Sequence, residues 1–275
     1  MSRLVARLLP DGSRLHLSDG PIDLIVEAWG TPLEVHRALT AAVEGARPVL
    51  DELCAELSVL RARQPGPPLS GRVAGRMQRA TAPYAPGMFI TPMAAVAGAV
   101  AEHVLDAMVA AAALSKAYVN NGGDIALHLT PGESFDAAML GLDGSLLGRL
   151  RVGSAQHVRG IATSGWPGRS FSLGIADSVT VLAATASRAD AAATVIANAV
   201  DLPGHPAVHR VPAQALDWDS DLGQRLVTRA VATLDAADRQ AALDAGAAVA
   251  SHLIRSRLIT AAALHLQGQT VIQAT

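Results

Sequence analysis

From Ala117 to Leu182 the chain breaks into short β-type runs, and this pattern limits the fold more than any other feature. The runs are Ala117–Val119, Ile125–Leu129, Ala137–Leu140, Leu146–Val152, Gly160–Thr163, Ser170–Leu173 and Ser178–Leu182, separated by turns bearing Gly, Asp or Asn. Such punctuation spells antiparallel hairpins. The chain opens in the same way. Arg3–Leu9 and Arg14–Leu17 flank a Pro10-Asp11-Gly12 turn, and Ile22–Ala28 follows Ser18-Asp19-Gly20-Pro21. Thr31-Pro32-Leu33-Glu34 then carries a helix-start signature: a threonine cap, proline at the first helical position and glutamate at the third. Helical periodicity continues to about Arg63 with a break at Pro48, and Gln64-Pro65-Gly66-Pro67-Pro68 reads as a loop. A long alanine-rich helix is expected from Met93 to about Leu114. Further helices are expected at Arg188–Val200, about Leu222–Leu234 and Arg239–Ile254. A final hairpin joins Ala261–Leu266 to Val271–Gln273. The order predicts an α+β fold, an antiparallel sheet with helices packed on one face, in a single domain over residues 1–275 with a loop near 64–70.

Composition removes several classes. Half of the residues are hydrophobic, 17% are charged and mean hydropathy is +0.29, which excludes a disordered chain. A formal net charge of -2 and 3% aromatic residues argue against a nucleic-acid partner, which needs basic surface and stacking platforms. Thr81–Ala101 is uncharged and long enough to span a bilayer. Pro83, Pro86 and Pro92 interrupt it, however, and Glu102, His103 and Asp106 follow, so a buried helix with a proline-rich entry is the expectation and no membrane partner is expected. The first ten residues hold Arg3 and Arg7 inside their apolar run and no small-residue cleavage site follows, so a cytoplasmic location is expected. Cys54, the single cysteine, is expected to be buried and inert.

Three segments could carry chemistry. In Asn120-Asn121-Gly122-Gly123-Asp124 the glycines permit positive φ and close backbone approach, so amides could cradle an anion while Asp124 holds a hydroxyl or a cation. An ordinary hairpin turn explains the same residues. Thr163, Ser164 and Gly165 end a strand with two hydroxyls able to bind phosphate oxygens, or form a plain strand-to-turn junction. Asp190 and Thr194 share a helix face and suit a hard cation such as Mg²⁺; alternatively Asp190 is a first-turn acid held by its helix dipole. The histidines show no metal-ligand grouping: Pro206 keeps His205 and His209 off a shared helix face, and His103 reads as a core or edge residue. His157 precedes the Thr163 strand and could reach it. Asp217, Asp219 and Asp221 lack a calcium-loop pattern, leaving Ser220 or Asp221 to cap a following helix.

Taken in order, Asn121-Gly122-Gly123-Asp124-Ile125, Ala162-Thr163-Ser164-Gly165, and Ser178-Val179-Thr180-Val181-Leu182-Ala183 with Ala189-Asp190 and Thr194 resemble the ApbE superfamily. Its known members include FAD:protein FMN transferases. Ile90-Thr91-Pro92-Met93-Ala94-Ala95-Val96-Ala97-Gly98-Ala99 and Ala199-Val200-Asp201-Leu202-Pro203-Gly204-His205-Pro206 resemble a cytosolic branch of it. The resemblance implies an ApbE-like T-fold variant. It implies that Asn121, Gly122, Gly123, Asp124, Thr163, Ser164 and Gly165 line a ligand cleft, with Asp190 and Thr194 holding Mg²⁺ beside FAD or FMN. In the transferases a His-Ile-Ile-Asp-Pro-type stretch precedes the Ser-Val-Thr-Val strand. Here Phe171-Ser172-Leu173-Gly174-Ile175-Ala176-Asp177 stands in its place with neither histidine nor proline, which argues against covalent flavin transfer to a standard acceptor.

Two functions follow. One is a Mg²⁺-assisted group transferase acting on a phosphorylated, flavin- or nucleotide-type ligand. The other is a non-catalytic accessory protein that binds a ligand or a protein partner in sulfur and homocysteine or one-carbon cofactor metabolism. A homo-oligomer is compatible with both.

Overall fold

The computed structural model describes residues 4–141 and 144–274; Arg3, expected to begin the first strand, lies outside them. In chain order the elements are β1 (Val5–Leu8), β2 (Leu15–Asp19), β3 (Ile22–Trp29), α1 (Pro32–Ala46), α2 (Val49–Ala55), α3 (Leu57–Leu60), α4 (Arg72–Thr81), α5 (Val96–Ala111), β4 (Lys116–Asn121), β5 (Asp124–Leu129), β6 (Ser134–Leu140), β7 (Leu146–Gly153), β8 (Gly160–Ser164), β9 (Ser178–Ala183), α6 (Ala186–Ala199), β10 (Val208–Pro212), β11 (Leu226–Val231), α7 (Ala236–Arg255), β12 (Ala261–Leu266) and β13 (Gln269–Ala274). The chain forms two compact units that interleave in sequence. The first comprises residues 1–136, 151–162 and 183–190; the second comprises 137–150, 163–182 and 191–275. The loop expected near 64–70 lies within the first.

In the first unit β1 to β5 form an antiparallel meander, and β8 joins β5 through Ile125↔Ile161 and Ala126↔Gly160. Alternation sets its two faces: Leu15, Leu17, Leu24, Val26, Ala117 and Val119 are buried while their neighbours in the strands stay partly exposed. Helices α1 and α5 pack on each other, α1 against β3 and α5 against β4 and β5. The Thr31 side chain accepts from the Glu34 amide at 3.4 Å with Pro32 opening α1, as the capping pattern predicts. Pro48, which has no N–H to continue a helix, separates α1 from α2. The alanine-rich helix has a short 3₁₀ entry, Pro92–Ala95, before α5. Pro92–Ala111 is long and apolar enough by length and composition alone to cross a membrane, and Val100, Val104 and Met108 are buried within the unit.

The second unit holds β9, β12 and β13 as antiparallel neighbours, with α7 packed on β12 and β13. It also holds the β10–β11 pair. Here the structure corrects the sequence reading. The helix expected over Leu222–Leu234 is absent: Leu226–Val231 is strand β11. Val227, Thr228 and Val231 are β-branched, and the Thr228 amide donates to the Ser172 carbonyl at 2.9 Å. Ser220 and Asp221 therefore cap no helix; Ser220 Oγ accepts from the Leu222 amide at 3.3 Å within a turn. The strand expected at Ser170–Leu173 is irregular, because the Asn198 side chain takes the Leu173 amide at 2.8 Å and the Ser172 hydroxyl at 3.2 Å. Helix α4 and strand β10 were not expected. Cys54 is exposed: Val49 and Leu53 make the buried stripe of α2, and the next residue points about 100° away.

Candidate functional site

The Asn-Gly-Gly-Asp segment is a two-residue hairpin loop. Asn121 pairs with Asp124, and Gly122 and Gly123 take φ of 64° and 114°, a left-handed pair that side chains other than glycine rarely adopt. The Gly123 amide donates to Asn120 Oδ1 at 2.8 Å, so it is already committed to the turn rather than offered to an anion. Asn121 Nδ2 donates to the Ala97 carbonyl at 3.1 Å and thereby ties the turn to the amino end of α5. Asn121 and Asp124 are both buried.

Asp190 arrives at the same place from α6. Its Oδ2 accepts from the Gly98 amide at 2.9 Å, and its carboxylate also takes the Ala97 amide. These are first-turn amides of α5, which has no capping side chain of its own. The expectation of a first-turn acid serving its own helix is therefore corrected: Asp190 lies beyond the first turn of α6 and serves another helix. Its pKa is nevertheless held well above the carboxylate range. Burial is the main cause and the charge of Asp124 the second, and the two amides only partly offset them. Asp124 and Asp190 are thus brought together in the first unit, close enough for the charge of one to act on the other.

A second carboxylate makes the reverse connection. Glu102, on α5, accepts from the Ser187 amide at 3.2 Å and the Ser187 hydroxyl at 2.8 Å, in the first turn of α6. Arg76 of α4 donates to the other oxygen of Glu102 at 3.0 Å and also pairs with Asp106. Two glycines make the close crossing possible. A Cβ on Gly98 would run into the Ala186 carbonyl, and one on Gly160 would run into the backbone of Thr185. Sequence reasoning noted Glu102 only as a charge that discounts a membrane helix. A glycine inside an alanine run, with a lone acid four residues on, was the available signal.

The other candidates sit elsewhere. Thr163, Ser164 and Gly165 belong to the second unit. There exposed Thr163 lies 2.9 Å, hydroxyl to hydroxyl, from Thr180, and Gly165 packs against the Asp177 carbonyl. Thr194 is half-buried one turn beyond Asp190, on the part of α6 that belongs to the second unit. His157 is exposed, His205 pairs with Asp238 at 3.0 Å, and half-buried His103 has its pKa lowered chiefly by burial. Among the described residues no group of three or more His, Cys, Asp or Glu side chains could hold a metal ion. Asp177 takes the Trp166 indole N–H at 3.3 Å and the Gln267 amide at 2.6 Å.

A family described as "AbpE bacteria" matches residues 6–272, nearly the whole chain, including both carboxylates of the acid pair. The chain belongs to this family, within the ApbE-like superfamily. Among its relatives, the UPF0280 protein of Methanopyrus kandleri is 41% identical over 157 residues, 54% of this chain and 58% of the relative. That of Archaeoglobus fulgidus is 39% identical over 111 residues, 40% of this chain and 45% of the relative. The chain thus spans about half the length of the curated relatives it matches. Among solved structures, the flavin transferase ApbE of Vibrio cholerae aligns over 98% of each chain with a TM-score of 0.41 and 12% identity. The apo flavinyl transferase ApbE of Pseudomonas stutzeri covers 100% of this ApbE-like chain and 95% of its own, with a TM-score of 0.45 and 10% identity.

Proposed function

We propose that this ApbE-like protein binds Mg²⁺ at the Asp124–Asp190 pair, together with a phosphorylated ligand of flavin or nucleotide type such as FAD or FMN, and acts in group transfer. One observation carries the reading. A carboxyl that accepts two backbone N–H bonds should ionise easily, yet Asp190 resists, first because it is withdrawn from water and second because Asp124 lies beside it. A cation beside the two acids would offset their mutual repulsion. The donor set fits a small hard cation, being two carboxylates; Thr194 enters it through the family resemblance alone. Mg²⁺ commonly takes one or two carboxylates and completes its shell with water and substrate phosphate, so the lack of a third acidic ligand is no obstacle. When bound, the cation neutralises phosphate charge during transfer.

The chain's own residues do the positioning. Asp190 fixes the start of α5, Asn121 fixes the turn against the same helix end, and Gly122 permits close backbone approach. Thr163, Ser164 and Gly165 enter this reading through the family resemblance alone.

One observation favours a binding role without chemistry. The stretch Phe171–Asp177 supplies no histidine, and its polar groups are spent on structure: Ser172 on Asn198, Asp177 on Trp166 and Gln267. An accessory protein that holds the ligand, or a protein partner, in sulfur or one-carbon cofactor metabolism would keep the acid pair and lose the acid–base stretch. Calorimetric titration of the wild type with Mg²⁺, alone and with FAD, tests the shared part. Binding that depends on Mg²⁺ and is lost in Asp190→Asn supports it; equal titrations of wild type and variant overturn it. A flavinylation assay with FAD, Mg²⁺ and a Ser/Thr acceptor peptide then separates transferase from binder.

A further inference from the structure

We infer that Glu102 is a positioning residue for the Asp124–Asp190 pair, acting through Ser187 to fix where α6 starts and so where Asp190 stands. This rests on the Mg²⁺ reading above. Besides the local cap by Thr185, whose hydroxyl accepts from the Arg188 amide at 3.3 Å and lies 3.1 Å from the Ser187 hydroxyl, three contacts from other elements hold the start of α6. Glu102 takes both the amide and the hydroxyl of Ser187. The absent side chain of Gly98 lets α5 touch the Ala186 carbonyl, and that of Gly160 lets β8 touch the Thr185 backbone. Glycines allow the approach but give it no direction. Hydrogen bonds do, and of these three contacts only that of Glu102 is directional; the Thr185 cap is internal to the helix start and does not tie it to α5.

Glu102 is itself held by the Arg76 guanidinium. Asp190 follows Ser187 by three residues, less than one helical turn, so a slip at Ser187 passes to Asp190 with little to absorb it. The two carboxylates therefore form a reciprocal clamp: Glu102 of α5 holds the start of α6, and Asp190 of α6 holds the start of α5. The first is buttressed by an arginine. The second faces Asp124, and its geometry depends on the first.

The probe is Mg²⁺ alone, titrated calorimetrically into wild type, Glu102→Ala, Glu102→Gln and Asp190→Asn, each shown to be folded by circular dichroism at the titration temperature. Glu102→Ala removes the acceptor and should weaken Mg²⁺ binding about tenfold, the usual scale for losing a group that orients a metal ligand. Glu102→Gln keeps an oxygen for the Ser187 amide and should restore affinity to within about threefold of wild type. A purely structural role predicts something else: both variants unfold at lower temperature, and neither changes Mg²⁺ affinity while folded. Should Glu102→Ala fail to fold, Ser187→Ala, which deletes the hydroxyl donor to Glu102 and keeps the helical backbone, takes its place with a loss in the same direction. If wild type binds and Asp190→Asn does not, but Glu102→Ala (or its replacement) binds like wild type, the inference about Glu102 falls while the Mg²⁺ reading stands. If wild type does not bind Mg²⁺, both fall together.

Discussion

Glu102 and Asp190 do the same structural job with opposite electrostatic outcomes. Each is a carboxylate from one helix bonded to first-turn amides of another, and each bond spans a long sequence separation, from α5 to α6 and back. Glu102 has Arg76 at 3.0 Å as a counter-charge. Asp190 has Asp124, and its carboxyl is pushed well above the ordinary range. A helix amino end favours a carboxylate in both cases. The difference therefore lies in the third group, and it separates a clamp held by a counter-charge from one set against a second acid. A protein that needed Asp190 only as a cap would gain nothing by burying a second acid against it.

Neutralising the two carboxylates should break the comparison most sharply. Asp190→Asn is expected to lower Mg²⁺ affinity about a hundredfold or more, beyond the usual loss for an orienting residue, because a charged ligand itself is removed. Glu102→Gln should change that affinity little and should instead cost stability, about 1–3 kcal/mol, because Arg76 loses a charged acceptor. Calorimetry and urea unfolding on the same two proteins measure both quantities. Equal losses of Mg²⁺ affinity would erase the distinction drawn here. Next in size is Gly98→Ala. The new Cβ meets backbone atoms of α6, which cannot swing aside as a side-chain tip can, so unfolding free energy should drop by at least about 1–3 kcal/mol. An alanine variant as stable as wild type in urea would mean that the helices do not cross where Gly98 places them.

Much of this arrangement could be read from the chain. The hairpin at Gly122-Gly123, the last hairpin and the Thr31-Pro32 helix start follow from local patterns, since hairpins and caps are written in adjacent residues. The partnership of Asp190 with α5 was not legible. Its amide partner is 92 residues away, and no local rule links an acid on one helix to the first turn of another. The misread stretch Leu222–Leu234 fails for the same reason. Its spacing suits a helix, but Thr228 is fixed by distant acceptors: its amide bonds the Ser172 carbonyl, and its hydroxyl bonds the Gly174 carbonyl at 2.8 Å. Cys54 shows a smaller failure, in which apolar neighbours were taken as burial although the helix stripe passes beside it.

A third way to sharpen the contrast is pH. The folded protein holds the Asp190 proton more tightly than the unfolded chain does, where the pKa is about 3.9. Its contribution to stability is then complete below about pH 4 and is lost as pH rises through the raised folded value. With EDTA present, wild type should become less stable relative to Asp190→Asn as pH is raised from acid to neutral, and Mg²⁺ should cancel the decline by taking the proton's place. Urea unfolding of both proteins across that range measures it. Parallel pH profiles would show that Asp190 does not titrate in the folded state.

The smallest effect expected is at Asp106, the second partner of Arg76. Its side chain is 59% exposed against 21% for Glu102, so water and salt screen its attraction to the guanidinium. An exposed pair of this kind contributes about 0–1 kcal/mol. Asp106→Asn should therefore shift unfolding by less than about 1 kcal/mol and leave Mg²⁺ titrations superimposable on wild type, since Arg76 keeps its bond to Glu102. The comparison depends on that null. If Arg76 holds Glu102 only because Asp106 first holds Arg76, then Asp106→Asn will reproduce the Glu102→Gln stability loss. The buttress would then be a three-residue network rather than a pair. A double-mutant cycle over Asp106→Asn and Glu102→Gln decides between them: additive losses identify the pair, and a coupling energy as large as either single loss identifies the network.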